Sequence, residues 1–350
     1  MINETEILAV NSAKRTGPVA TLCYSIVFIL TEVMTQIVPY SFIYFNSEKK
    51  FPISSATMIA AIEFAKFIIC FLAFCGHQRR VRFVPSPLFF APAFFFVATG
   101  NLFFYCLNFV TPPTWNIILQ SRVIFMMFGG YVIYGRPIER RQWLAVGSLL
   151  FAILLAGWFC PEVDAAVDIQ NNSIKQRDSI VWWTAASICG AVCSAIAMSS
   201  SEYISREDSR PITEKHTQLH FFGLVIGIVW ATLVTGGNLV DINVKVFFPL
   251  DFYLCALTIA IGTLGGLSST AIMVMRLSGC TEGHSITTAW IPPATFLSSA
   301  VGCSMLFPAQ KYSSIVIAVL VLLVGAASFL NVTFSPSPTE KQSNSTRLEA

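Results

Sequence analysis

Long apolar runs recur along almost the whole chain, and they constrain the fold more than any other feature. Each run is about 20 residues long, the length that an α-helix needs to cross a hydrocarbon layer of about 30 Å. The mean hydropathy of +0.66 and the 12% content of charged residues exclude an ordinary soluble domain. The sequence therefore predicts an all-α integral membrane protein. We place its ten transmembrane helices at residues 19–45, 54–76, 88–110, 113–134, 142–160, 179–204, 216–236, 252–275, 284–306 and 313–334.

The ten spans divide into two halves of five, at about 19–160 and about 179–334. A shift of about 170 residues places Glu32 on Glu202, and the turn at Thr111 on Thr281. Because five is odd, the second half must enter the membrane upside down relative to the first. Such inverted repeats suit alternating access to a site near the membrane midplane. The rest of the chain is predicted to be a cytosolic N-terminal segment at 1–18 and a disordered cytosolic tail at 335–350.

The distribution of lysine and arginine over the loops predicts the orientation of the chain. Fourteen of these residues fall on the side that holds both termini and six on the opposite side, while Lys66 and Arg122 fall inside spans. Since cytosolic loops carry the excess of basic residues, both termini are expected in the cytosol. The largest loop on the other side carries Asn171-Asn172-Ser173. This sequon makes Asn171 a glycosylation candidate in a lumen.

Two basic residues lie at membrane depth, where an arginine costs at least about 2.5–3.5 kcal/mol and normally faces protein or water. Arg122 has no acidic residue nearby on its own helix. Its partner is therefore either an anionic substrate or, by packing, Glu32 or Glu202. Lys66 follows Glu63 by three residues and shares its helix face. This pair is either a structural ion pair or a site where Lys66 binds a substrate phosphate or Glu63 a base or ribose.

The segment around Arg122 carries further candidates. At about 100° per residue, Trp115 and Arg122 share a helix face with Gly129, whereas Gln120 points in nearly the opposite direction. Gln120 and Arg122 can both be buried only if this helix is enclosed on all sides. Trp115 would suit a base stacked above a bound phosphate, although tryptophan near an interface also serves as an anchor. Asn101, in the preceding span, is another polar candidate at membrane depth.

The seventh span begins with His216 and His220, four residues apart, which is the spacing of a two-histidine metal face. No third ligand follows at a recognisable distance, so we predict no metal site and treat His216 and Gln218 as polar candidates. The ten cysteines form no Cys-x-x-Cys, and no phosphate-binding glycine loop, HExxH or GxSxG occurs. We therefore predict neither an enzyme nor a cofactor. The net charge of +3 argues against a nucleic-acid partner.

Taken together, these motifs resemble those of the nucleotide-sugar transporters, in particular the group for CMP-sialic acid, UDP-galactose and UDP-N-acetylglucosamine. The resemblance covers most of spans 2–10. Asn101, the Thr-Pro-Pro-Thr turn, Gln120-Ser-Arg122-Val, Gly135-Arg136-Pro137 and Gln142-Trp143 are similar to the third and fourth spans of that family. Glu63-x-x-Lys66 is similar to its second-span pair, and Gly265-Gly266-Leu267 to its eighth-span Gly-Gly-Leu. His216-Thr-Gln218-Leu-His220-Phe-Phe-Gly223 is similar to its seventh-span Asn-x-Gln-x-Tyr-x-x-Gly.

The resemblance implies the drug/metabolite-transporter fold, with ten helices in an inverted repeat within the lipid bilayer. It also implies a Golgi membrane, or alternatively the ER. The implied activity is antiport of a pyrimidine (UDP- or CMP-) sugar against a lumenal nucleoside monophosphate. Arg122 and Lys66 would bind the phosphates, Trp115 the base or sugar, and Asn101, Gln218 and His216 would hydrogen-bond the substrate. A homodimer, or a complex with a related transporter or a glycosyltransferase, stays open.

The chain departs from the family pattern at positions that should set selectivity. The family lysine of span 4 is Arg122, and His216 and His220 stand in place of Asn and Tyr. The lysine expected late in span 8 is absent, with Val274 or Met275 in its place. The sugar and the base are therefore left open. Two alternatives also stay open: a transporter of another organic anion with the same fold, and a non-transporting scaffold or regulator of a related transporter.

Overall fold

The computed structural model describes residues 18–45, 53–77, 83–134, 138–159, 173–208, 210–236, 249–277, 289–307 and 312–332. Within these ranges the chain is helical and contains no strand. The helices are α1 (Pro18–Phe45), α2 (Ser55–His77), a 3-10 helix (Pro87–Phe89), α3 (Phe90–Cys106), α4 (Pro112–Gln120), α5 (Arg122–Tyr134), α6 (Arg140–Phe159), α7 (Ser173–Glu207), α8 (Ile212–Thr235), α9 (Pro249–Leu277), α10 (Ile291–Leu306) and α11 (Ser314–Val332). The predicted glycosylation candidate Asn171 and the tail at 335–350 lie outside the described residues, as does all of the segment 1–18 except Pro18.

Six of the described helical stretches are long and apolar enough to cross a membrane: Leu22–Phe45, Ser55–Gly76, Pro87–Cys106, Arg140–Trp158, Trp182–Ser205 and Ile212–Thr235. Three shorter apolar stretches are Tyr253–Ser269, Ile291–Leu306 and Ser314–Leu330. Large apolar side chains cover their outer faces, including Leu72, Trp158 and Leu233 at 64%, 84% and 77% exposure. The six long helices suggest insertion of a multi-pass protein into a membrane. The count of ten spans stays a prediction.

Proline pairs open two short helices that pack against each other, α4 and α10. α4 begins with Pro112 and Pro113, directly after an extended Thr111 (φ −75°, ψ 154°). Prolines also occupy the first turn of α10. Proline suits this position because its missing N–H would have no intrahelical acceptor there. All nine residues of α4 are buried, so this helix is enclosed on all sides, as the burial of Gln120 requires.

The fourth predicted span is two helices, because the chain tightens at Ser121. The Ser121 N–H donates to the carbonyl of Ile118, three residues earlier, at 3.0 Å. Such a bond belongs to a 3-10 turn, which often marks a helix end. α4 therefore ends at Gln120, and Arg122 is the first residue of α5. The expected continuous helix over 113–134 is corrected in this respect.

Glycines allow two helices, α8 and α9, to pack closely against α2. A Cβ at Gly227 of α8 would lie 3.2 Å from the Cα of Ala60, and one at Gly262 of α9 would lie 2.8 Å from Cδ1 of Ile62. Without side chains at these points, neighbouring helices can approach more closely than larger residues allow. As a result α2 packs against both α8 and α9, and its polar residues face helices of the second half of the chain.

The other main contacts pair α3 with α7, α1 with α9, α6 with α11 and α1 with α10. The buried core runs along these interfaces. At the end of α1, the ring of Tyr40 meets Phe307 edge-on, with centroids 5.0 Å apart and an interplanar angle of 83°. Tyr40 and Phe307 are both fully buried, so this contact joins α1 firmly to the end of α10.

Candidate functional site

The candidate site is centred on the carboxylate of Glu63, which lies on α2 and is only 8% exposed. Its Oε1 accepts a hydrogen bond from Nζ of Lys66 at 2.9 Å, one turn further along the same helix. Its Oε2 lies 2.8 Å from Nδ1 of His220 on α8. Glu63 and Lys66 are thus an ion pair, as their spacing predicts. His220 is an additional partner of Glu63. The sequence drew attention to His220 through its four-residue spacing from His216, which did not predict this contact.

Two glycines make room for this arrangement. A Cβ at Gly223 of α8 would lie 2.6 Å from Oε2 of Glu63. A Cβ at Gly266 of α9 would overlap Cε of Lys66 and lie 2.7 Å from its Nζ. Either side chain would therefore displace one member of the ion pair. At the neighbouring Gly265, a Cβ would meet Oγ1 of Thr35 on α1 at an ordinary 3.4 Å. Gly265 and Gly266, both predicted site residues, thus face different partners.

Arg122 approaches the same region from α5. Its side chain is partly exposed, and within the described part of the chain its guanidinium has no hydrogen bond and no carboxylate within 4.0 Å. The charge that acts on it is that of Glu32 on α1, which is also attracted by Lys66. The alternative partner from the sequence, Glu32, therefore influences Arg122 through space without a direct contact. Lys66 and Arg122 thus both interact electrostatically with the carboxylate of Glu32.

A buried amide pair holds the surroundings of Glu32 in place. Nε2 of Gln36 donates to Oδ1 of Asn116 at 2.9 Å, and Nδ2 of Asn116 donates to Oε1 of Gln36 at 2.7 Å. Gln36 and Asn116 are 2% and 3% exposed, so this reciprocal pair links α1 to α4 inside the protein. Nε2 of Gln36 also lies 3.4 Å from Oε1 of Glu32. The pair was missed at the sequence level because its partners are 80 residues apart.

We call Glu32, Glu63, Lys66, Arg122 and His220 the charged cluster. It combines two carboxylates, two cations and one histidine from four helices. Nε2 of His220 is buried and has no hydrogen-bond partner among the described residues, although a buried polar atom without a partner costs about 1–3 kcal/mol. The cluster therefore offers two groups with free binding capacity, the Arg122 guanidinium and the His220 ring.

Trp115 and Asn101, two other predicted site residues, make contacts elsewhere in the protein. Trp115 is 2% exposed, and its ring packs 5.5 Å from that of Phe103 on α3. A Cβ at Gly190 of α7 would meet Trp115 at 3.0 Å. Asn101 donates from Nδ2 to the carbonyl of Val97 on its own helix at 2.9 Å. In this arrangement the Trp115 ring packs within the protein, and the predicted roles of Trp115 and Asn101 in substrate binding stay predictions.

Gln218, predicted to line the site, is fully buried and its amide is used by the protein. Nε2 donates to the carbonyl of Val84 at 3.0 Å and to Oε1 of Glu214 at 3.1 Å, while Oε1 accepts from the N–H of Ser86 at 3.0 Å. Each polar atom of Gln218 thus has a partner within the protein, and its role in substrate binding stays a prediction. His216, one turn before His220, is also buried, and its Nδ1 has no hydrogen-bond partner among the described residues.

The segment before α8 joins Gln218 in a polar clamp. Arg210 donates from Nε and Nη2 to Oδ2 of Asp208, at 2.9 and 2.6 Å. Its Nη1 lies 3.9 Å from Oε1 of Glu214, and its guanidinium lies 5.5 Å from the ring centroid of Phe89. We call Asp208, Arg210, Glu214 and Gln218 the clamp. It ties the start of α8 to the segment that precedes α3.

Asp208 and Arg210 of the clamp lie outside the long apolar stretches, and their charges stabilise each other. Partial burial acts to raise the pKa of Asp208, but hydrogen bonds from the side chain and backbone of Arg210 outweigh it, and the pKa lies below its ordinary value. The same hydrogen bonds raise the pKa of Arg210. Both groups are therefore held in their charged forms.

A second polar contact joins the two halves at the other end of α3. Oη of Tyr312 donates to Oγ1 of Thr111 at 2.6 Å, and Oγ1 of Thr111 lies 3.0 Å from Oγ1 of Thr114. Since the clamp meets the chain before α3 and Thr111 follows α3, these contacts lie at opposite ends of that helix.

Among the described residues no group of three or more His, Cys, Asp or Glu side chains could hold a metal ion. Gln120 is buried in α4 and is 7% exposed. Val274, Met275 and Arg276, near the position where the resemblance leads us to expect a lysine, belong to α9, but their side chains are outside the described part of the structure. Gly135, Arg136 and Pro137 lie outside the described residues.

Comparison with known proteins adds information on the fold alone. No family model matches this chain, and no curated protein matches it. One solved structure, described only as a crystal structure of a protein, is similar over 89% of this chain and 96% of its own, with a TM-score of 0.56 and 12% sequence identity. At this identity the likeness shows a shared fold, and it carries no conclusion about activity.

Proposed function

We propose that this chain is a nucleotide-sugar antiporter of the Golgi or ER membrane. It exchanges a cytosolic pyrimidine (UDP- or CMP-) sugar for a lumenal nucleoside monophosphate. The observation that carries the proposal is Arg122, a cation inside the helix bundle with no hydrogen bond or ion pair among the described residues. An arginine in this position calls for an anionic partner, and its planar fork matches the geometry of a phosphate.

The surroundings of Arg122 support an anionic substrate. Lys66 is attracted by the same carboxylate, Glu32, so two cations on different helices converge on one region. A phosphate that enters between them would take over the role that Glu32 plays in its absence. The resemblance in order and spacing to the nucleotide-sugar transporters supplies the substrate class, and the charged cluster supplies the chemistry that such a substrate needs.

The pairing of helices supports the inverted repeat on which alternating access would depend. We map α1, α2, α3, the α4–α5 pair and α6 onto α7, α8, α9, α10 and α11. The contact of α1 with α9 then corresponds to that of α7 with α3, and the contact of α2 with α9 to that of α8 with α3. The pairs α2–α8, α4–α10 and α6–α11 each map onto themselves. This exchange of partners is what two halves related by a two-fold axis would give.

The charged cluster combines residues of both halves. Glu32, Glu63, Lys66 and Arg122 belong to the first half, and His220 belongs to the second. A substrate bound here would contact both halves and could exchange sides when one moves against the other. With the termini in the cytosol, the clamp would face the cytosol and the Tyr312–Thr111 contact would face the lumen.

The experiment is exchange in proteoliposomes loaded with UMP, CMP or GMP, against a panel of labelled nucleotide sugars. We expect one internal nucleotide to accelerate uptake of a matching sugar. R122A should reduce uptake by at least 100-fold, R122K should retain part of it, and R140A, which removes an exposed arginine at the start of α6, should retain all of it.

Two outcomes would contradict the proposal. Uptake by R122A at the wild-type rate would show that Arg122 has no role in binding. A flat panel with monodisperse protein would leave the alternatives, which are a transporter of another organic anion and a scaffold or regulator of a related transporter. Uptake of other anions and co-purification of a transporter would then distinguish these two.

A further inference from the structure

The imidazole of His220 has one nitrogen that is fully used and one that is free. Nδ1 lies 2.8 Å from Oε2 of Glu63, and an ionised carboxylate can only accept a hydrogen bond. We therefore assign the ring proton to Nδ1, which leaves a lone pair on Nε2. That atom is buried, the residue is 6% exposed, and no described group bonds to Nε2. It is the basic atom of the charged cluster without a partner.

Several charged and titratable groups surround His220. α8 packs against α2, α3 and the 3-10 helix. α2 contributes Glu63, Lys66 and Cys70, whereas α3 and the 3-10 helix contribute no acidic, lysine, arginine or histidine side chain. On α8 itself, Glu214, Lys215 and His216 lie within two turns, and His216 interacts electrostatically with His220. Among these groups Glu63 makes the direct contact.

The two oxygens of Glu63 connect His220 with Lys66. One oxygen holds the ammonium of Lys66 and the other holds the imidazole of His220. With His220 neutral, Lys66 is the cation that balances Glu63. With His220 protonated, Glu63 would have a second cation in hydrogen-bond contact, and Lys66 would be free to turn toward another anion. The missing side chain at Gly223, where a Cβ would lie 2.6 Å from Oε2, allows His220 this close approach.

We propose that Glu63 and His220 form a proton-binding site that loads the transporter for its anionic substrate. A proton from the aqueous phase binds to Nε2 of His220, the imidazolium neutralises Glu63, and the released Lys66 binds the substrate phosphate together with Arg122. The proton leaves from the same atom when the substrate dissociates on the other side. This inference rests on the proposed function and adds a coupled ion to it.

Charge within the cluster explains why a proton would favour binding. With His220 protonated, the cluster carries one more positive charge than with His220 neutral. An incoming anion is therefore attracted more strongly to the protonated site. Substrate affinity should therefore be higher when His220 is protonated than when it is neutral, so it should rise as pH falls.

The test is the pH dependence of KM for the nucleotide sugar that proves active in the exchange panel. The internal pH is held at about 7.5, because a nucleoside monophosphate itself titrates near pH 6. For the wild type we expect KM to fall roughly tenfold as the external pH goes from about 8 to about 6, with little change in kcat.

The informative variant is His220→Asn. Its amide nitrogen can replace Nδ1 as the donor to Glu63, but it has no basic atom in place of Nε2. H220N should exchange substrate with a KM that is independent of pH and close to the wild-type value at about pH 8. The control is H77Q, which removes a histidine at the end of α2 and should keep the wild-type profile.

Each failure has its own signature. A flat KM in a wild type that exchanges normally overturns proton loading and leaves the antiporter intact. A wild-type pH profile in H220N would show that the proton binds to another group, and it would overturn the assignment to His220. Absence of exchange at every pH, with monodisperse protein, overturns the antiporter and this inference with it.

Discussion

The charged cluster and the clamp both contain acidic and basic side chains, and they differ in whether their polar groups have partners. In the clamp, Arg210 bonds to Asp208, and Gln218 bonds to Val84, Ser86 and Glu214. In the charged cluster, Arg122 has no bonded partner among the described residues, and Nε2 of His220 is buried without one. Polar groups that hydrogen-bond to one another hold the structure in place. Polar groups without partners are available to bind a ligand reversibly.

The presence or absence of bonding partners distinguishes the two regions, whereas their residue types do not. An arginine and two carboxylates occur in both regions, so these residue types alone do not separate them. Unpartnered polar groups are costly in the interior and persist where function requires them. The comparison predicts that damage to the clamp lowers stability, whereas damage to the free groups of the cluster lowers transport.

The largest effect is expected from Glu63→Ala, which tests whether the cluster also contributes to the stability of the protein. The change leaves Lys66 buried without its counterion, and removal of one partner of a buried pair typically costs about 3–5 kcal/mol. Thermal unfolding in detergent should show a clear loss of stability, together with loss of exchange. Glu139→Ala, an exposed residue before α6, is the control and should change neither.

Glu63→Gln separates the two roles of Glu63. A glutamine can still contact Lys66 and His220, so most of the stability should return, while exchange stays impaired because the charge is gone. An unfolding temperature of E63A equal to that of the wild type would mean that the ion pair contributes nothing to stability.

The second prediction concerns the clamp. Gln218→Ala removes the partners of the Val84 carbonyl and the Ser86 N–H, and the loss of such a part-buried hydrogen bond typically costs about 0.5–1.5 kcal/mol. We expect a lower unfolding temperature and an unchanged KM. Gln142→Ala is the matched control, since its side chain accepts a similar hydrogen bond from Glu139 at an exposed site. An altered KM with unchanged stability would support Gln218 as a substrate-binding residue.

Local periodicity and spacing account for what the sequence predicted correctly. The apolar runs predicted helices because each helix satisfies its own backbone, whatever packs around it. The three-residue spacing of Glu63 and Lys66 predicted their contact, because such residues share a helix face. In each case the information lies within one helix.

The rest depends on contacts between distant parts of the chain. His220 lies 157 residues from Glu63, and Gln218 lies 134 residues from Val84. A helical wheel gives the direction of Trp115 relative to Arg122, but it does not say that α3 and α7 cover the ring. The break at Ser121 has no signal of its own, because serine neither requires nor forbids it. Helix packing decides these features.

The third prediction tests the narrow space beside Lys66. Gly266→Ala adds a Cβ where the Lys66 side chain lies, so the ammonium must move away from its present position. Overpacking of this kind typically costs about 1–3 kcal/mol, and here the flexible lysine should absorb part of it. Exchange should fall more than stability does. Gly147→Ala, where a Cβ meets nothing within 4 Å, is the control and should leave both properties unchanged. Wild-type exchange by G266A would show that the position of Lys66 is unimportant.

The smallest effect is expected from Asp208→Asn in the clamp, and its sign depends on pH. Because the folded-state pKa of Asp208 lies below its ordinary value, its charge stabilises the protein above that ordinary value, and the contribution disappears as pH falls through the folded-state pKa. Since the ion pair is partly exposed and screened, we expect a loss of about 1 kcal/mol or less at neutral pH. The unfolding temperatures of D208N and the wild type should differ by a constant amount down to about pH 5 and converge below about pH 4. Glu207→Gln, on the exposed neighbour, should track the wild type throughout. A difference that persists at low pH would mean that the Asp208 side chain acts through shape or neutral hydrogen bonds, and the clamp would then hold without its charge.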